Sequence, residues 1–190
     1  MTAACSGLCT AGYWCPSGAV SPTQVPCPAG TYGNVPGAAT AACAGSCSQG
    51  YYCLASSTSA TANACPAGRY GSTPGLTNSS CSGLCALGNY CPAASLSAAS
   101  VKCPAGRYGN TTGLSVAACS GSCALGYYCP AGSVEANSVP CPAGSFANVT
   151  GLTSVTCSGL CSIGFWCDVV RVCTAPTAAR ARAALCVRVF

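Results

Sequence analysis

The chain has 190 residues, of which 21 are cysteine and only 5% are charged, with a net charge of +5 and no histidine. Leu, Ile, Val and Phe together number 29, too few for an ordinary apolar core, and the low charge sets the chain apart from the highly charged disordered class. The only carboxylates are Glu135 and Asp168, which leaves no acid–base pair or triad to assemble, so neither an enzymatic activity nor a cofactor is expected.

Cysteine recurs on a strict 38-residue period. One series is Cys5, Cys43, Cys81, Cys119 and Cys157, and a second is Cys9, Cys47, Cys85, Cys123 and Cys161. Cys15, Cys53, Cys91, Cys129 and Cys167 form a third, and Cys27, Cys65, Cys103 and Cys141 a fourth. A period of this size marks a repeat architecture. It divides the chain into repeats 1–42, 43–80, 81–118 and 119–156, a partial repeat 157–167 and a divergent tail 168–190.

A unit this short seldom folds without metals, disulfides or neighbours, so cross-links are expected to replace the missing core. Zinc favours Cys-x2-Cys pairs with histidine; the spacings here are x3, x5, x11 and x15, so no metal is expected. Disulfides at this density persist in oxidising compartments, which predicts a secreted or cell-surface protein.

Met1-Thr2-Ala3-Ala4-Cys5 aligns with Ala39-Thr40-Ala41-Ala42-Cys43, so the first repeat starts partway through the pattern, as expected of a piece of a longer array. The sequence shows no signal peptide and no apolar run long enough to span a membrane. Up to Cys167 the charges are Arg69, Lys102, Arg107 and Glu135, scattered over the repeats. No nucleic-acid partner is expected from such a distribution.

In chain order each unit opens on Cys-Pro-Ala-Gly, at 27–30, 65–68, 103–106 and 141–144. Pro second and Gly fourth predict a type I turn. An aromatic follows at Tyr32, Tyr70, Tyr108 and Phe146, predicted to pack over the adjacent disulfide as a miniature core. Gly37, Gly75, Gly113 and Gly151 read as turn residues with positive φ. The close-set cysteines come next, each third one preceded by a ring: Trp14, Tyr52, Tyr90, Tyr128 and Trp166. The position before that is Tyr13, Tyr51, Asn89, Tyr127 and Phe165, and its tolerance of Asn89 predicts a more exposed ring. Ser/Ala/Thr-rich loops such as 56–61 and 95–100 close the unit. The expected fold is a small disulfide-rich repeat protein, an elongated rod of tandem irregular β-hairpin modules with little helix.

The recurring Cys-Pro-x-Gly-x-Tyr, glycine turn and Gly-Tyr-Tyr-Cys-Pro over residues 5–167 resemble ephrin-receptor-like cysteine-rich repeats. These are themselves similar to tumour-necrosis-factor-receptor modules. The resemblance implies the pairs Cys27–Cys43, Cys65–Cys81, Cys103–Cys119 and Cys141–Cys157. It leaves the short-loop pairs Cys9–Cys15, Cys47–Cys53, Cys85–Cys91, Cys123–Cys129 and Cys161–Cys167. An alternating scheme, Cys5–Cys15 with Cys9–Cys27 and so on, stays open beside it.

Asn78-Ser-Ser80, Asn110-Thr-Thr112 and Asn148-Val-Thr150 are N-glycosylation sequons, and Asn110 and Asn148 stand one period apart. Ser and Thr total 40, so O-linked glycans are expected as well. After Cys167 the pattern fails, and the Ala/Arg-rich tail with Cys173 and Cys186 reads either as a C-terminal cap or as a frame-shifted segment. Together these features predict an extracellular structural protein. It is expected to be a glycosylated rod that forms or decorates a filament, surface appendage or matrix, partnered by copies of itself or other extracellular structural proteins. The alternative is the ligand-binding or adhesion ectodomain of a cell-surface receptor.

Overall fold

The computed structural model describes residues 7–162 and the short strands Phe165–Trp166 and Val187–Arg188. Cys5, Cys167, Cys173 and Cys186 lie outside the described residues, and with them the expected Cys161–Cys167 pair. The chain is a small disulfide-rich β-hairpin repeat protein, with no helix among the described residues. Every strand is two residues long, because Gly, Pro and Cys interrupt each stretch before a longer ladder can form.

Two kinds of hairpin alternate. In the A type, Tyr13–Trp14 pairs with Val25–Pro26, Tyr51–Tyr52 with Asn63–Ala64, Asn89–Tyr90 with Val101–Lys102, and Tyr127–Tyr128 with Val139–Pro140. In the B type, Thr31–Tyr32 pairs with Gly45–Ser46, Arg69–Tyr70 with Gly83–Leu84, Arg107–Tyr108 with Gly121–Ser122, and Ser145–Phe146 with Gly159–Leu160. A further pair joins Phe165–Trp166 to Val187–Arg188 in the tail. Each 38-residue period thus holds two hairpins, and the repeat boundaries before Cys43, Cys81 and Cys119 fall inside B-type ones.

The entry turn differs from the type I turn expected at Cys-Pro-Ala-Gly. Thr31 N–H donates to Pro28 C=O at 3.1 Å, and Gly30 has φ 88°. The turn therefore starts one residue later, with glycine at the third corner, the type II arrangement. Glycine is required twice over: φ is positive, and a Cβ at Gly30 would lie 2.5 Å from the Gly75 carbonyl oxygen. The same hydrogen bond closes the A-type turns, where Tyr13 donates to Thr10, Tyr51 to Ser48 and Tyr127 to Ala124. Proline is thus dispensable to the turn.

A second register runs under the cysteine pattern. Residues 18, 37, 56, 75, 94, 113, 132 and 151 all have left-handed φ, between 60° and 91°. Their spacing is a constant 19 residues, half the cysteine period. Six are glycine, as expected for Gly37, Gly75, Gly113 and Gly151; Ser56 (φ 64°) and Ala94 (φ 60°) hold the conformation with a Cβ. The structural unit is accordingly the single hairpin.

The chain forms two compact units, Met1–Cys85 with Cys91–Ser100, and Ala86–Tyr90 with Val101–Phe190. In the first, each turn glycine donates to the following hairpin: Gly12 to Gly33, Gly30 to Cys53, Gly50 to Gly71 and Gly68 to Cys91, all at 2.8–2.9 Å. The left-handed residues reach back, Gly37 N–H to Cys9 C=O, Ser56 to Cys27, Gly75 to Cys47 and Ala94 to Cys65. In the second unit the same bonds recur from Gly88 to Gly109, Gly106 to Cys129, Gly132 to Cys103 and Gly151 to Cys123. Backbone groups that two-residue strands leave unpaired are thereby satisfied by the neighbouring hairpin.

Candidate interaction surface

The core consists of sulfur. Among the described residues, the buried apolar side chains are cysteines plus Ala147. The A-type hairpins carry Cys9–Cys15, Cys47–Cys53, Cys85–Cys91 and Cys123–Cys129; the B-type carry Cys27–Cys43, Cys65–Cys81, Cys103–Cys119 and Cys141–Cys157. Cα–Cα distances of 5.9–6.1 Å in all eight lie in the usual disulfide range. Cys161 is also disulfide-bonded. Each such bond contributes roughly 2–4 kcal/mol, which is how a chain with so few large apolar residues holds a fold. Disulfides at this density fit an oxidising compartment.

The two disulfide types share one scaffold. The residue after the aromatic is Cys15, Cys53, Cys91 or Cys129 in the A hairpins, and Gly33, Gly71, Gly109 or Ala147 in the B hairpins. A Cβ at Gly33 would stand 3.0 Å from Cys27 Sγ, where the A-type partner cysteine would be. With that place taken by glycine, Cys27 instead bonds Cys43, 16 residues on. Cys-x2-Gly-x-aromatic, repeated from Cys9 and Cys27 onward, is the sequence signal for this pseudo-repeat. The alternation of cysteine with glycine conceals it.

The ring of the B hairpin packs across the strand pair. Tyr32, Tyr70, Tyr108 and Phe146 each stand opposite a glycine, and a Cβ at Gly45, Gly83, Gly121 or Gly159 would meet the ring edge at 3.3–3.9 Å. In the A hairpins both strand positions are half-buried, including Tyr51, Tyr52, Asn89 and Tyr90. The expected difference in exposure between the two rings is therefore not found. A two-residue strand on this scaffold has no deep face to reserve for one of them.

What the hairpins present outward is neutral. Asn78, Asn110 and Asn148 are all exposed. Asn78 Oδ1 accepts the Ser80 N–H at 2.9 Å, an Asx turn, while the Asn110 and Asn148 N–H groups donate to the Ser120 and Ser158 hydroxyls at 3.1 and 3.2 Å. Arg69 and Arg107 do not form a basic patch. Each folds back, Nη1 donating at 2.9 Å to the carbonyl of Ser80 or Ala118, and so braces the loop that ends at the B-type disulfide. Exposed leucines recur in register: Leu8, Leu84 and Leu160 precede second-series cysteines, with Ser46 and Ser122 at the same position in the units between.

Among the described residues, no group of His, Cys, Asp or Glu is placed to hold a metal ion, and no helix is long and apolar enough to cross a membrane. Glu135 is exposed, and Asp168 lies outside the described residues. No protein-family model matches the sequence, and no curated protein matches it either.

Proposed function

We propose that the chain is an extracellular, non-catalytic structural protein: a disulfide-stapled, glycosylated array that forms or decorates a filament, surface appendage or matrix. The observation that carries this reading is the recurrence of the same backbone hydrogen bonds between successive hairpins within each compact unit, of which only the Gly126-to-Ala147 counterpart is missing among the described residues. When every module contacts its neighbours in the same way, length follows copy number, which suits a shaft or spacer. Exposed leucines at Leu8, Leu84 and Leu160 give a recurring apolar contact for copies of the chain or other extracellular structural proteins. Glycans on Asn78, Asn110 and Asn148 keep the rest of this nearly uncharged surface soluble. The resemblance to ephrin-receptor-like repeats supports an extracellular module and leaves its task open.

Electron microscopy of the native material tests the proposal. Ordered fibres whose axial repeat is related to the 38-residue unit are expected. Isolated rods standing on membranes would favour a ligand-binding or adhesion ectodomain instead.

A further inference from the structure

We propose that Cys43, Cys81, Cys119 and Cys157 are thiol-exchange sites, one per 38-residue period, through which an incoming thiolate opens the B-type disulfides before the A-type ones. Access is the first ground. Each of the four is partly exposed, whereas its partner is buried: Cys27, Cys65 and Cys103 are 0% exposed and Cys141 3%. The A-type pairs Cys47–Cys53, Cys85–Cys91 and Cys123–Cys129 are 0% exposed at both ends. Cys9–Cys15 is intermediate, since Cys15 is partly exposed.

Backbone conformation is the second, independent ground. Cys43, Cys81 and Cys119 have φ 50° and Cys157 49°, whereas none of the described A-type cysteines has positive φ. A residue with a Cβ is disfavoured there and persists only when its surroundings hold it. The cross-link is one such restraint, so opening it relieves the backbone. Each of these cysteines also follows three exposed residues, which leaves an approach from solvent. Ring size works the other way, because a 16-residue loop constrains the unfolded chain more than a 6-residue one. That advantage grows only logarithmically with loop length and is comparable to the left-handed cost, so access decides.

The step is a thiol–disulfide exchange and needs a thiol as co-reactant. The thiolate attacks Sγ of Cys43, and a new S–S bond forms as the Cys27–Cys43 bond breaks. The electron pair leaves on Cys27 Sγ, which takes a proton from water. One disulfide and one thiol are present before and after, so no external oxidant is consumed. Cys43 then carries the incoming thiol covalently on the outside of the loop.

Reduced glutathione added to the fully disulfide-bonded chain in native buffer, quenched with a maleimide and mapped by peptide mass spectrometry, tests this. Glutathione on Cys43, Cys81, Cys119 and Cys157, with maleimide on Cys27, Cys65, Cys103 and Cys141, is expected about tenfold sooner than modification of the three fully buried A-type pairs. In guanidinium, where burial and backbone strain are abolished, that order is expected to vanish. The proposal is overturned if the A-type pairs open first or together with the B-type in native buffer, or if glutathione settles on the buried partners. A preference that persists unchanged in guanidinium also overturns it, because neither burial nor the folded backbone conformation would then set the order.

Discussion

Tyr70 stands directly across its hairpin from Gly83, and a Cβ on that glycine would sit 3.5 Å from the ring's Cε1. Gly83 has φ 150°, a backbone region that only glycine enters freely. The ring covers the strand where the opposing residue has no side chain, so an aromatic and a glycine together stand in for a cross-strand pair. Gly83→Ala is expected to cost about 1–3 kcal/mol through the forced φ, and Tyr70→Ala about 1 kcal/mol or more through lost ring contact. Thermal denaturation followed by near-ultraviolet dichroism measures both. Equal melting of Gly83→Ala and the parent chain would show that this pairing contributes nothing.

Ser56 and Ala94 occupy the left-handed register that glycine fills at positions 18, 37, 75, 113, 132 and 151. Their N–H groups already make the required bonds to Cys27 and Cys65 at 3.0 and 2.9 Å, so the conformation is imposed by the neighbouring hairpin. Removing the Cβ relieves the conflict. Ala94→Gly and Ser56→Gly are each expected to stabilise the chain by roughly 1 kcal/mol, somewhat offset by the greater freedom of glycine in the unfolded chain. Urea titration reads the effect, and a loss of stability would contradict it. Ala94→Val at the same site should destabilise, since a β-branched residue tolerates this φ least.

The sequons give a prediction that needs no stability measurement. Asn110 and Asn148 occupy equivalent exposed places, two residues after Tyr108 and Phe146, with the backbone N–H fixed by the hydroxyl of the serine that immediately precedes the opposite strand. On expression through a glycosylating secretory pathway, Asn110→Gln and Asn148→Gln are each expected to remove one N-glycan, seen as a stepwise mass loss that matches digestion by an N-glycosidase. Substituting Asn34, the third equivalent position, should change nothing, because Pro36 spoils its sequon. Unchanged mass in the two glutamine variants would remove these sites from the surface described above.

Much of this arrangement can be read from residues whose chemistry leaves few options. Cysteine repeated at a fixed period implies cross-links, and Gly37, Gly75, Gly113 and Gly151 at a fixed offset imply positive φ, which they have. The half-period is concealed because its markers change identity: Cys15 becomes Gly33 in the next hairpin, and glycine becomes Ser56 and Ala94. The turn lies one residue later than Pro28, a strong local signal, suggests, because the constraint at Gly30 comes from the Gly75 carbonyl, far along the chain. Asn89 is deceptive for a similar reason. Its side chain donates to the Leu87 carbonyl at 2.8 Å, so a polar residue is satisfied locally in a half-buried place that elsewhere holds a ring.

The relation between the two hairpin types can be tested by converting one into the other. Gly71 holds the place in its B hairpin that Cys53 holds in the preceding A hairpin, and a Cβ there would lie 2.9 Å from Cys65 Sγ. Ala147 already fits a side-chain carbon at the same position while 1% exposed, so the scaffold accommodates one. Gly71→Cys is therefore expected to bond the introduced sulfur to Cys65, closing the short ring of the A type, and to release Cys81 as a thiol. Leu76 Cδ1, 2.8 Å from the new Cβ, must shift, which limits the yield but not the direction. Titration with a thiol-reactive chromophore should find one extra free thiol per chain, and non-reduced peptide mapping should place it on Cys81. Were the added cysteine itself free and Cys65–Cys81 intact, the A and B hairpins would not be interchangeable scaffolds. The alternation of short and long rings would then be a property of the loops, not of which residue follows the aromatic.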